Sequence, residues 1–291
     1  MEIVYHIGAH CTDDDRLLKS LLKNADNFAE DGVKIPGPGK YRRLIRETIQ
    51  GLNGARPQPN TRSILLDAIL DDEPTERLIL SNSNFICVPN RIFENGVFYA
   101  QAEPKIRALC ELFPEDDIEI FLSLRNPATF VPAAFAKSDP TTLDQFMRNM
   151  HIGDIRWSDI VRRIKHAAPN SHLTVWCNED TPLIWAELIR RMGGVLPDQR
   201  ITGGFDLLAS IMSQQGLNRF LNYMRSHPPK TEDQKRRIIG AFLDKYALDE
   251  EIEEEVDLPG MTNEILEAIS DAYEDDVDII AAMPGVDFVS A

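Results

Sequence analysis

Residues 2–24, EIVYHIGAHCTDDDRLLKSLLKN, constrain the fold more than any other part of the chain. Ile3-Val4-Tyr5-His6-Ile7 is an apolar, β-branched run that stops at Gly8, and after a short polar loop Leu17, Leu18, Leu21 and Leu22 recur at helical spacing. The pattern predicts a strand, a turn and a helix. A helix that starts just past a buried strand offers unpaired backbone N–H groups and the positive end of its dipole to an anion. Asp13-Asp14-Asp15 stands in that position, so three carboxylates sit where such a loop receives a phosphate.

The rest of the chain repeats the alternation. Strands are expected at 77–80, 118–124 and 172–176, and helices at 41–52, 63–70, 105–113, 143–150, 157–167 and 183–192, the last closed by Gly193-Gly194. Strands alternating with helices imply an α/β fold, a mostly parallel sheet covered on both faces. Between the first helix and the second, the Pro and Gly content of residues 32–39 argues against regular structure. Residues 201–291 read as helical throughout, with Ile265, Leu266, Ile269, Tyr273, Val277 and Ile280 forming one apolar stripe. The expected organisation is an α/β domain over 1–200 and a helical C-terminal extension over 201–291, packed on the same core.

Charge narrows the function. The net charge of −16 is concentrated in residues 241–291, which carry 16 acidic side chains against one lysine; the first 240 residues hold 31 acidic against 30 basic. A balanced body with an acidic arm argues against nucleic acid and against anionic membranes, both of which call for clustered Lys and Arg. It leaves the arm as a contact for a protein partner. No apolar run reaches membrane-spanning length and the chain enters a strand at once, so a cytoplasmic protein is expected. Cys11, Cys87, Cys110 and Cys177 are far apart and suggest neither a zinc ribbon nor a disulfide framework.

The frame His6-Ile7-Gly8-Ala9-His10-Cys11-Thr12-Asp13-Asp14-Asp15 resembles the donor loop of sulfotransferases that use 3′-phosphoadenosine 5′-phosphosulfate (PAPS), especially bacterial members that open His-Ile-Gly-x-His-Lys-Thr-Gly-Thr-Thr. The resemblance implies a P-loop-type three-layer fold. It also implies PAPS as donor, 3′-phosphoadenosine 5′-phosphate (PAP) as product, and a hydroxyl-bearing small molecule or glycan as acceptor. Cofactor contacts carried over from it are Gly8, Ala9, His10 and Thr12, together with Arg125 at the end of the 118–124 strand, which matches the family's 3′-phosphate arginine. Its partner serine, eight positions on, is Ala133 here.

The sequence departs from the pattern where the chemistry is done. Cys11 replaces the lysine, Asp13 the glycine, and Asp14 and Asp15 the threonines; no catalytic residue can be assigned, since the nearest match to the acceptor-side acid is the amide Asn84. Charges ~4 Å apart interact by roughly 4 kcal/mol at an effective dielectric near 20. A loss of that size weakens donor binding by about a thousandfold. Two classes follow: a non-catalytic descendant that binds a ligand or a partner, and an active divergent sulfotransferase. Other roles for the same residues are helix capping by the aspartates, a metal site built from His6, His10, Cys11 and the aspartates, and a grip on an anionic acceptor by Arg42, Arg43 and Arg46, whose alternative is a solvated helix face.

Overall fold

The computed structural model describes residues 1–71, 73–252 and 261–291. Among the described residues six strands form one sheet: β1 (Glu2–Gly8), β2 (Val33–Lys34), β3 (Arg77–Ser81), β4 (Asp117–Leu124), β5 (His172–Cys177) and β6 (Asp287–Val289), in the order β2-β3-β1-β4-β5-β6. Every pairing is parallel, and β1 lies between β3 and β4 with Val4 opposite both Ile79 and Glu119.

Alternation along the strands divides the core in two. Ile3, Tyr5 and Ile7 of β1 join Leu78, Leu80, Ile120, Leu122, Leu173 and Val175 on one face, whereas Val4 joins Ile79, Phe121 and Trp176 on the other. Parallel strands buried on both faces need helices on each side, because only crossovers connect them. Helices Pro38–Leu52, Thr61–Leu70, Ala102–Leu112 and Trp157–Ala167 cover the first face, and Arg16–Leu22 with Thr181–Gly193 cover the second. Among the described residues no helix is long and apolar enough to cross a membrane.

Two expectations change, and one helix is unanticipated. The segment 32–39 contains β2, a two-residue strand on the sheet edge, and Pro38 opens the next helix, so a Pro-rich stretch is compatible with an edge strand and a helix start. Residues 201–291 are not helical throughout: β6 pairs with β5 and buries Val289 at 2% exposure, so the chain's end completes the sheet. Helix Pro127–Ala136 follows β4 directly, with Asn126 accepting from the Ala128 N–H at 2.9 Å and Pro127 in the first turn; that Asn-Pro pair is a helix-start signal the sequence did carry.

Within 201–291, helix Asn263–Ala281 sends Ile269, Tyr273 and Ile280 into the first-face core, while Asp206–Ile211, Gln214–Ser226 and Glu232–Tyr246 gather around Phe220 in a cluster of their own. Glu253, Glu254 and Glu255, the densest part of the acidic arm, lie outside the described residues.

If β6 belongs to the sheet, Val289→Asp places a charge in the second-face core and lowers stability by at least about 2 kcal/mol, while Ser290→Ala, one residue on and exposed, changes it by about 0.5 kcal/mol or less. Urea unfolding of the two variants checks this.

Candidate functional site

The chain leaves β1 toward the β3 side and leaves β4 toward β5. Where connections diverge in this way, a crevice opens outside the carboxyl ends of the strands, and ligands of open α/β sheets bind there. The loop after β1 fills the mouth of that crevice. Gly8 turns it with φ 93°, the pairing with β4 slips between His6 and Gly8, and a Cβ on Gly8 would lie 3.3 Å from the Ser83 backbone. The Ala9 N–H then donates to the Ser123 carbonyl at 2.8 Å and the Thr12 hydroxyl to the Ala9 carbonyl at 2.9 Å. Arg125, buried at the end of β4, donates to the Cys11 carbonyl and to Thr129 Oγ1 at 3.1 Å. The five residues singled out in the sequence, Gly8, Ala9, His10, Thr12 and Arg125, therefore meet in one place, although the hydrogen bonds named here bind the loop to its own scaffold.

His6 at the end of β1 and His10 in the loop are both buried. His6 Nδ1 pairs with Ser81 Oγ at 2.9 Å and its ring stacks on Trp176, while Nε2 has no hydrogen-bond partner among the described residues. His10 Nδ1 lies 2.7 Å from the Tyr99 hydroxyl, which also receives the His10 backbone N–H at 3.2 Å; a Tyr99 O–H donated to Nδ1 leaves Nε2–H to donate to Asn84 Oδ1 at 3.1 Å and the Cys87 carbonyl at 3.0 Å. This is a neutral imidazole used as a tether between the loops after β1 and β3. Among the described residues no group of three His, Cys, Asp or Glu side chains converges as a metal site, so the ligand set weighed for this loop is not assembled.

The aspartates divide their work. Asp13 Oδ2 accepts from the Leu17 N–H at 3.0 Å, capping helix Arg16–Leu22. Asp15, at the expected cap position, has a left-handed backbone (φ 62°) and makes no capping bond; it is clamped instead by Arg42, Nη1 to Oδ2 at 2.9 Å and Nη2 to Oδ1 at 2.6 Å. Arg42 also donates from Nε to the Ser81 carbonyl at 2.9 Å, and it holds the Asp15 carboxyl below the usual carboxylate range. Asp14 takes Lys137 Nζ at 2.6 Å. Capping by the aspartates thus belongs to Asp13 alone, and the other two serve as counter-ions. Partly exposed pairs of this kind are each worth about 1 kcal/mol or less, so they fix the loop's electrostatics more than the protein's stability.

Two cavities share this edge of the sheet. One, of about 250 Å³, is polar and lies against the loop itself, with Cys11, Asp14, Asp15 and Arg42 in its wall. The other, of about 260 Å³, runs from Arg42, Asn82 and Asn84 along helix Pro38–Leu52.

No family model, curated protein or solved structure matches this chain.

The site's geometry gives roles to residues the sequence did not single out. Lys137 lies 123 positions from Asp14, and Tyr99 lies 89 from His10. No local pattern links such pairs. Of the arginines proposed for an anionic acceptor, Arg42 faces both cavities and Arg46 the second, while Arg43 is exposed and paired with Glu47 at 2.7 Å. Thr at 14 or 15, as the resembled loop has, would sit at φ 47° or 62°, where β-branched side chains are strained. The loop is wound for Asp or Asn.

Burial holds the imidazoles of His6 and His10 below their ordinary value. The unfolded chain then binds protons that the folded one refuses, so their contribution is constant above about pH 6.5 and lost as pH falls from there toward the folded values. Thermal unfolding midpoints should accordingly drop as pH falls below about 6.5, and His10→Gln, which keeps an N–H donor for Asn84 and Cys87, should make that drop smaller.

Proposed function

We propose that this chain is a P-loop-type, sulfotransferase-like protein whose donor loop is closed by its own carboxylates, and that it binds a ligand or partner in place of transferring sulfuryl groups. The observation that carries this is the pair of contacts Asp15–Arg42 and Asp14–Lys137. Two cations at the mouth of the loop, suited by charge to an incoming phosphate, already hold carboxylates. Transfer further needs a cation on the leaving oxygens and a base for the acceptor proton. Cys11 supplies no such charge, His10 is spent as a tether, and Asn84 is an amide that accepts from it.

The parallel sheet and the loop after its central strand support the P-loop-type reading. The acidic arm is the second contact surface on this account, for a basic protein partner. One observation favours the alternative of an active, divergent sulfotransferase using PAPS. Arg125 is buried against the Cys11 carbonyl, within reach of the loop, where a guanidinium suits phosphate.

Calorimetry with PAP separates the two. The unmodified protein is expected to show no binding at micromolar concentration. Asp14→Asn with Asp15→Asn, which keeps the left-handed backbone tolerable, frees Arg42 and Lys137 and should produce binding that Arg42→Ala removes. Tight binding of PAP by the unmodified protein would overturn the closed-loop reading in favour of transfer.

A further inference from the structure

The second cavity carries an unbalanced charge. Four cationic side chains, Arg42, Arg46, Arg91 and Lys105, face it, and among the described residues none that lines it is acidic. Three of the four have carboxylate partners: Arg42 has Asp15, Arg91 has Glu94 at 2.7 Å, and Arg46 has the more distant Glu47 at 4.0 Å. Lys105 differs. Among the described residues its ammonium has no hydrogen bond or ion pair, and burial together with the Arg91 charge lowers its pKa. A half-buried ammonium beside a second cation and without a counter-ion costs free energy in the empty protein, which an anion in the cavity would return.

Ile45, Ile49, Phe85 and Ile86 give the same cavity an apolar lining, the two isoleucines at 45 and 49 coming from the helix that carries Arg42 and Arg46. A space of about 260 Å³ holds roughly nine water-sized groups. The amides Gln50, Gln101, Asn82 and Asn84 also line it.

On the reading of the chain as a binding protein, we infer that this cavity takes a small amphipathic anion: one carboxylate or sulfate-like headgroup set against Lys105, on an apolar body lying along Ile45, Ile49 and Phe85, about ten non-hydrogen atoms in all. The loop pocket beside it presents carboxylates to a ligand, so the anionic end is directed to the Lys105 side and away from Asp15. Lys105 is a binding residue here with no chemical step assigned to it.

The test is calorimetry on the full chain with octanoate, octyl sulfate and 1-octanol, and with PAP in a separate titration. Octanoate or octyl sulfate should bind saturably below about 1 mM, with 1-octanol at least about tenfold weaker, because it lacks the charge that Lys105 needs. The tighter of the two anions identifies the headgroup, and either one supports the inference. Lys105→Gln should weaken the anion at least about tenfold, and Lys105→Arg should restore most of the loss, which separates lost charge from lost fold. Absence of saturable binding by both anions would sink the inference, as would equal binding of 1-octanol or an unaffected Lys105→Gln. The PAP titration is read independently: PAP binding overturns the closed-loop reading whatever octanoate does, and failure of the anions with PAP also silent removes only the assignment of this cavity.

Discussion

Everything in this molecule is hung on β1, a strand with neighbours on both edges and helices over both faces. Its backbone N–H and C=O groups are buried, and the ladders to β3 and β4 are what pair them. Its side chains must be apolar in both directions, and Ile3, Val4, Tyr5 and Ile7 meet that demand. The demand ends at Gly8, where the chain has to leave the sheet within a few residues and start a helix on the second face. A positive φ at Gly8 makes that exit feasible, and the exit fixes where the loop of residues 9–15 lies.

Placing that loop at the crevice creates an electrostatic problem with two solutions. A helix start beside Arg42, Lys137 and Arg125 concentrates positive potential, which either an external anion or internal carboxylates can satisfy. This chain carries its own. Asp13 caps the helix, Asp14 and Asp15 neutralise the nearest side-chain cations, and the backbone winds through left-handed conformations at Cys11, Asp14 and Asp15 to bring them there. Closing the loop and leaving Lys105 uncompensated in the adjoining cavity are complementary features. Positive charge is cancelled at the loop after β1 and retained in the cavity that Ile45, Ile49 and Phe85 also line.

The helical cluster around Phe220 and the acidic arm stand apart from this logic. The cluster is joined to the sheet layer through Leu183 and the ion pair of Arg236 with Glu187 at 2.7 Å. Helix Asn263–Ala281 instead reaches the first-face core, and Asp276 accepts from the Ser158 N–H at 3.0 Å, capping helix Trp157–Ala167 from outside. The C-terminal region is thus built into the α/β layers at its end, with β6 as the last strand.

By itself the sequence determined the alternating architecture, because burial on one face or two writes a period into the chain: the 118–124 strand and the 157–167 helix are legible from apolar spacing alone. It also exposed the contradiction of three aspartates in an anion-type loop. Short elements escaped it. β2 is two residues long and β6 three, too little for a period, and they exist because a neighbouring strand edge offers hydrogen bonds. Which aspartate caps and which pair with cations was decided only in three dimensions, since Arg42 and Lys137 come from distant positions and the left-handed turn swings Asp15 off its cap. The same holds for Lys105. Its charge is ordinary in the sequence, and only the placement of helix Ala102–Leu112 beside residues 82–88, the segment after β3, leaves it facing a cavity without a counter-ion among the described residues, because electrostatic balance depends on distances that the order of residues does not contain.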